Sequence, residues 1–309
     1  MEELAVALRI GLTNGLIIAV IAIGYTLVYG ILELINFAHA DVFMFGTLFT
    51  YLGLEFVVRG LGLPVQGLTT LLLAFAIVLP ITMLLTASMN AGIERVAYRP
   101  LRNAPRLAPL ISAIGMSFVL QNLGLLIIGP SQVAVEPILP ENDLITLPSG
   151  QAIIGIDELF VLGVTIPLLL LLRWFVSSTR QGKAMRATAQ DREASGLMGI
   201  NVNRTISLTF LIAGALAGAA GMVVALYYGQ SYFQLGIQFG LLSFTAAVIG
   251  GIGNLTGAAI GGIVIGLVAA MSDRFIASAW TNIIVFGILI LVLVFRPSGI
   301  LAERVSERA

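Results

Sequence analysis

The sequence predicts an all-α polytopic membrane protein, a bundle of about eight transmembrane segments with a broken or re-entrant glycine-rich segment. Three observations predict it. Of the 309 residues, 58% are apolar and 10% are charged, and the mean hydropathy is +1.02. A soluble domain of this length needs many more charges to cover its surface. The apolar residues come in runs long enough for a helix to cross a bilayer, which takes about 20 residues. Period-two alternation is absent, and the runs are too long for barrel strands.

In chain order the runs lie at 11–29, 37–58, 68–88, 108–129, 159–176 and 206–228, followed by a longer one at 241–270 and a last one at 280–295. The opening Met-Glu-Glu-Leu is acidic and no small-residue cleavage site follows its apolar run, so the first segment is expected to belong to the mature protein.

Charge sets the expected orientation. Arg95, Arg99, Arg102 and Arg106 share one loop with only Glu94 opposing them. Arg180, Lys183, Arg186, Arg192 and Arg204 share a second, and Arg296, Arg304 and Arg308 close the chain. The loop 130–158 has no Lys or Arg and carries Glu136, Glu141, Asp143, Asp157 and Glu158. By the positive-inside rule the basic regions and the C-terminus are cytoplasmic and the acidic loop is external, while the side of the N-terminus stays open. A single helix over 241–270 would leave the C-terminus outside. The stretch "GGIGNLTGAAIGG" interrupts that run, so two half-spans or a hinge are expected near Gly250–Gly257, with Gly250, Gly251 and Gly253 as the flexible break. Gly253, Gly257 and Gly261, Gly214 and Gly218, and Gly11 and Gly15 recur every four residues and are expected to let helices of one subunit pack closely.

Little here suggests chemistry. With no cysteine, disulfides, thiol catalysis and Cys-based metal sites are excluded, and a single histidine, His39, cannot build a multi-histidine metal site. "STRQGKA" lacks the first glycine of a phosphate loop and the Ser/Thr after its lysine, so the chain is not expected to hydrolyse ATP or to be an enzyme. A net charge of zero gives no reason to expect nucleic acid. Polar residues at membrane depth are costly and mark candidate paths. "ELINFAHADVF" places Glu33, Asn36, His39 and Asp41 at the start of the second span, with Asn36, His39 and Phe43 on one helix face. Gln121 and Asn122 lie past the middle of 108–129, and Asn14 lies early in the first span. Bonding to neighbouring helices is the competing role for all of them.

The polar segment "KAMRATAQDREASGLMGINVNR" reads as a helix whose stripe of Ala184, Ala187, Ala194, Leu197 and Met198 is too small-sided to anchor in lipid and suits a groove in another protein. Within it stands "EASGLMG". That spacing resembles the E-A-A-x-x-x-G loop of ABC importer permeases. "GYTLVYGILELINFAHADVFMFG", "PLRNAPRLAPLISAIGMSFVLQN" and "AVIGGIGNLTGAAIGG" extend the likeness, in order, from about residue 14 to 299. Together they resemble the LivH-type permease of branched-chain amino acid transporters. Two departures stand out. Ala40 and Asp41 occupy the place of the family's usual Gly-Glu after the histidine, and Ile206 and Leu208 lack the proline that ends the E-A-A motif.

The resemblance implies a single transmembrane permease domain over 1–309, with a cytoplasmic coupling segment at about 177–205, in a bacterial or archaeal plasma membrane. It implies a second, LivM-like permease subunit, two cytoplasmic ATPases that use ATP and Mg²⁺, and an extracytoplasmic binding protein as partners, with no cofactor on this chain. Arg186, Asp191, Glu193, Ala194 and Gly199 would form the coupling lever. Asn36, His39, Gln121 and Asn122, then Tyr25 and Tyr29, would line the path. Permeases for urea, short amides or other amino acids share this architecture. An ion-coupled transporter would need paired charges deep in the bundle, and Glu55, Arg173 and the Glu33–Asp41 patch read instead as lying near span ends.

Overall fold

A computed structural model describes residues 2–301, apart from 103, 106, 141–142 and 147–151. Arg106, Glu141, Arg304 and Arg308, counted above in the charge pattern, lie outside the described residues. Among the described residues, eight helices are long and apolar enough to cross a membrane. They are α1 (Glu2–Leu32), α2 (His39–Gly60), α3 (Thr69–Leu101), α4 (Leu107–Ile128), α5 (Ile156–Ser178), α8 (Val202–Tyr228), α10 (Leu255–Phe275) and α11 (Ser278–Phe295). Two short helices, α6 (Arg180–Gln190) and α7 (Arg192–Leu197), bridge α5 and α8, and α9 (Leu235–Gly250) precedes α10. Among the described residues, four short strands sit at helix ends. Val133–Ala134 (β1) pairs antiparallel with Gln230–Ser231 (β4), and Asp143–Thr146 (β2) with Ala152–Gly155 (β3). The protein is thus an all-α polytopic membrane protein, with strands confined to connections.

The helices divide by what surrounds them. In its most apolar stretch α1 is 89% buried by the rest of the chain, whereas α11 is 6% buried and α4 and α5 are each 17% buried. A helix that is apolar all round belongs in a bundle core or in lipid. So α1, α2 and α8 form the centre, and α4, α5 and α11 turn most of their surface outward.

Packing at the centre depends on missing side chains. A Cβ on Gly262 would sit 2.5 Å from the Ala19 backbone, one on Gly15 2.8 Å from Ile263, and one on Gly221 2.6 Å from Gly46. Gly214 and Gly218 lie as tightly against Ala87 and Thr82 of α3. The glycine ridges read from the sequence therefore serve contacts within one chain, as expected, except for Gly253, whose Cβ would meet nothing within 4 Å. Between helices in lipid there is no hydrophobic drive, so this van der Waals contact is the main attraction.

Ion pairs and hydrogen bonds sort the helix ends into two groups. At one end Arg9 pairs with Glu158 at 3.4 Å, Arg274 pairs with Glu3, and β1 pairs with β4. This end carries the acidic 130–158 loop and also the N-terminus of α1, whose side the sequence left open. At the opposite, basic end Arg192 donates to the Ile31 carbonyl, Ile300 N–H donates to Ile249 O at 2.9 Å, and Asn254 reaches Leu301 O at 2.7 Å.

The 241–270 run is two helices, and the break falls within the expected 250–257, though it is shorter. Gly250 ends α9, Gly251 and Gly253 take φ values of +104° and +100°, and Asn254 caps α10 by accepting from Gly257 N–H at 3.0 Å. Gly257 is helical and packs on Gly250, so the turn occupies 251–254 only. It lies at the basic end beside the last described residues rather than in mid-bundle. The helix α9 has 16 residues, about 24 Å at 1.5 Å per residue. It is too short to cross alone, and it starts inside the bundle, where a Cβ on Gly236 would lie 2.7 Å from the Ala40 carbonyl.

Gly262→Leu should lower stability by roughly 1–3 kcal/mol, because the added side chain must displace the α1 backbone at Ala19. Thermal unfolding in detergent, compared with Gly287→Leu, whose Cβ meets nothing within 4 Å, measures it. Equal melting of both variants would contradict the packing described.

Candidate functional site: a buried polar seam and a basic-end linkage

The chain between α1 and α2 turns back into the bundle before α2 begins. Asn36 therefore precedes the helix and does not share a helical face with His39 and Phe43, as the spacing had suggested. The loop residues are tied to α3 instead. Asn36 donates to Asn90 at 3.3 Å, Tyr98 donates to the Ile35 carbonyl at 3.2 Å, and Asn90 donates to Phe210 O of α8 at 2.7 Å. Asn36 is 1% exposed, so these contacts fix it as a structural tie.

Because the loop re-enters, the first turn of α2 lies deep. His39 is fully buried; its ring sits edge-on to Tyr25 at 4.9 Å and occupies the place a Cβ on Gly24 would need. Asp41, expected near a span end, is instead 1% exposed inside the bundle, where Ser117 of α4 donates to its Oδ2. Gln121 extends the link by donating to Ser117 Oγ at 3.0 Å. Gln121 thus joins this cluster, but Asn122 does not. It faces outward and donates to its own helix at Phe118 O, 2.7 Å away. Tyr29 lies one turn closer to the basic end and is half-buried. Asn14 accepts from Tyr228 at 2.8 Å, a tie between α1 and α8.

Several side-chain atoms at this junction have no hydrogen bond of ordinary geometry among the described residues. They are both His39 nitrogens, Asp41 Oδ1 and Thr26 Oγ1, together with Ser243 and Thr245 Oγ on α9, which packs against α1 and α2. A buried polar atom without a partner costs about 1–3 kcal/mol. Six such atoms on these helices are expensive for stability alone. They describe a hydrophilic seam closed on itself, with α9 as its short, glycine-packed wall.

The basic end carries the second element. The segment expected to be one helix over 183–200 is broken at Asp191, which leaves helical geometry at the end of α6 and caps α7 by accepting from Ala194 N–H at 3.0 Å. The stripe of Ala184, Ala187, Ala194, Leu197 and Met198 does not face the bundle. Met185, Thr188 and Ser195 are the buried positions, while Leu197 and Met198 are 85% and 84% exposed. Glu193 and Ala194 are also exposed, and Gly199 takes φ +84° in open space. Arg186 donates to Val176 O of α5, and Arg192 to Ile31 O of α1 at 2.5 Å. Arg192 thus ties α7 to the last turn before the re-entrant loop.

A buried ion pair stiffens the same end. Glu94, 1% exposed, pairs with Arg102 and accepts from Ser207 of α8 at 2.8 Å. Burial works against the Arg102 charge and lowers its affinity for the proton, and Glu94 opposes that. The basic cluster is legible in the sequence but this pairing is not, since Glu94 reads there only as a lone acid among arginines.

A multi-pass bundle with an unmet polar seam inside and an exposed apolar tip at one end is the architecture of a membrane permease. The family described as branched-chain amino acid transport system / permease component matches residues 7–293, and the chain belongs to it. It is 40% identical over 299 residues to the high-affinity branched-chain amino acid transport system permease protein BraD of Pseudomonas aeruginosa, covering 96% of this chain and 95% of that protein. It is 39% identical over 306 residues to the permease protein LivH of the same kind of system in Escherichia coli K12, with the same coverage. The autoinducer 2 import system permease protein LsrC of Klebsiella pneumoniae shares 34% identity over 102 residues, 33% of this chain and 29% of that protein. No solved structure matches the chain.

Glu94→Gln should cost about 3–5 kcal/mol, because it leaves the half-buried Arg102 guanidinium without its counter-charge. Glu94→Gln combined with Arg102→Met should recover part of that loss in detergent melting curves. Gly24→Ala should displace the His39 ring, so Gly24→Ala and His39→Ala are both expected to slow uptake. If Gly24→Ala transports normally while His39→Ala does not, the seated ring is not the functional arrangement.

Proposed function

We propose that this chain is the transmembrane permease subunit of an ATP-driven ABC importer, passing branched-chain amino acids across the plasma membrane by alternating access. The observation that carries the reading is the extent of the likeness, 96% of the chain at 40% identity to a permease of such a system. The partial match to an autoinducer 2 permease covers only a third of the chain, so it supports shared architecture rather than a shared substrate. Residues 1–309 act as one permease domain. The basic end faces the cytoplasm, with the C-terminus, and the N-terminus and acidic loop face outward.

Partners follow from the class. A second permease subunit completes the path, and two cytoplasmic ATPases bind and hydrolyse ATP with Mg²⁺. An external binding protein delivers the substrate, and this chain itself holds no cofactor. The α6–α7 segment is the coupling element. Leu197, Met198, Ala194 and the open Gly199 supply a small, apolar tip for a cleft, with Arg186, Asp191 and Glu193 around it. Motion of α7 reaches the bundle through Arg192 and Ile31, and the loop that leads to His39 follows. The α9–α10 hairpin swings on Gly250, Gly251 and Gly253. When it parts from α1 and α2, the seam of Tyr25, His39, Asp41 and Gln121 gains water and passes the polar backbone of the amino acid. Tyr29 borders the seam at its basic end, Asn36 steadies the loop leading into it, and Asn122 meets the second subunit.

Gly199→Trp should leave the protein inserted and folded but abolish ATP-driven uptake, since the indole cannot enter the cleft. Purification from the native membrane in mild detergent, with mass spectrometry of what accompanies the chain, provides the direct check. Walker-motif ATPases and a second permease in near-equal amounts are the expected companions. Recovery of the chain alone, with wild-type uptake by Gly199→Trp, would overturn the coupling role.

A further inference from the structure

Of the three spans that turn most of their surface outward, α4 alone exposes a carboxamide at the depth of the polar seam. That residue is Asn122. Its neighbour Gln121 reaches Ser117 and through it Asp41, which sets Asn122 level with the seam. Asn282 of α11 is exposed too, but it stands in the second turn from the acidic end, near the headgroups. Asn122 donates to Phe118 O at 2.7 Å, and nothing among the described residues donates to its Oδ1.

Lipid is a poor cover for this face. Hydrocarbon offers an amide oxygen no donor and holds no water to supply one, so the exposed Oδ1 calls for a protein neighbour. The rest of the face is shaped for a helix. Ile111, Gly115, Phe118, Asn122 and Leu126 point outward at spacings of four, three, four and four residues. That is close to the rhythm by which two helices mesh at a shallow angle. A Cβ on Gly115 would meet nothing within 4 Å, so a gap lies open between the outward side chains of Ile111 and Phe118. In lipid, small residues and hydrogen bonds across helices are what hold two spans together. The outward faces of α5 and α11 carry Leu170, Leu171, Ile283, Ile290 and Val294 in their middle and basic-end turns, with no such amide.

We propose that α4 is the membrane face on which the second permease subunit seats. One of that subunit's helices places a side-chain hydrogen-bond donor on Asn122 Oδ1 and a side chain in the gap at Gly115. The inference rests on the importer reading given above and adds to it the surface of this chain that the second subunit uses. The placement bears on the path. At the depth of the seam α4 is tied to the bundle by Ser117 on Asp41, and its most apolar stretch is only 17% buried. A subunit seated on its outer face is therefore one helix away from Asp41, and the shared path runs beside α4 rather than beside α5 or α11.

The test uses the complete transporter in its native membrane, with photoreactive benzoylphenylalanine placed singly at Phe118 or Leu126 of α4. Leu170 of α5 and Ile290 of α11, both 62% exposed, serve as control positions. Irradiation should join the second permease subunit to this chain from 118 and 126, as identified by mass spectrometry, and give only lipid adducts from 170 and 290. Asn122→Leu should lower the second permease recovered with the chain in mild detergent several-fold, while the melting temperature of the separated chain stays unchanged. Asn122→Gln, which keeps the amide, should restore recovery. Lipid adducts alone at 118 and 126 overturn the assignment, as do adducts between two copies of this chain, or capture of the second permease from 170 or 290 instead. Recovery at the wild-type level by Asn122→Leu overturns the role of the amide. A wild-type chain that brings down no second permease at all is instead a failure of the importer reading, and it removes the occupant proposed here as well.

Discussion

Close backbone contact between helices is the constraint on which the rest of this structure depends. In lipid an apolar side chain gains nothing by leaving the tails for a neighbouring helix, so association rests on van der Waals fit and on polar ties. The centre of the bundle meets that demand with glycine against backbone, at Gly15 on Ile263, Gly262 on Ala19 and Gly221 on Gly46. Each contact brings two axes nearer than any side chain would allow. Long leucines and isoleucines are left for the outer faces of α4, α5 and α11, where lipid or another subunit receives them.

The same tightness explains the polar seam. The short helix α9 can enter the bundle because Gly236 and Gly240 let it approach Ala40, and Gly257 and Gly261 let α10 support it from behind. Only backbone contacts of that kind bring a helix too short to span against the buried first turn of α2. His39 then sits against Gly24 and Tyr25, and Asp41 against Ser117, with hydrogen-bonding capacity left over. In a closed core that surplus is a cost.

At the basic end the polar ties replace the glycine contacts. Asn36, Asn90, Tyr98 and the Phe210 carbonyl connect the re-entrant loop to α3 and α8. Glu94, Arg102, Ser207 and Asn203 connect α3 to α8 one turn further on. Arg192 fastens α7 to α1. Beside the rigid network of side-chain ties, the hydrogen bond from Arg192 to the Ile31 carbonyl is what joins α7 to α1.

The sequence by itself determined the number and order of the membrane helices, because apolar length is a local property that the bilayer reads directly. It also determined that the 241–270 run is broken, since glycine with Asn254 cannot continue a helix unmarked, and it exposed the family likeness through motifs in fixed order. Tertiary structure alone decided depth and direction. Asp41 looked like a residue at a span end, and only the re-entry of residues 33–38 puts it inside the bundle. Asn36 and His39 looked like one helical face, until the helix proved to begin between them. Gln121 and Asn122 are adjacent in the chain, and the rotation of α4 turned one to Asp41 and the other outward. The α6–α7 segment carried one continuous small-residue stripe, and the cap formed by Asp191 split it. These features depend on where distant segments meet, and hydropathy along one strand of sequence holds no record of that.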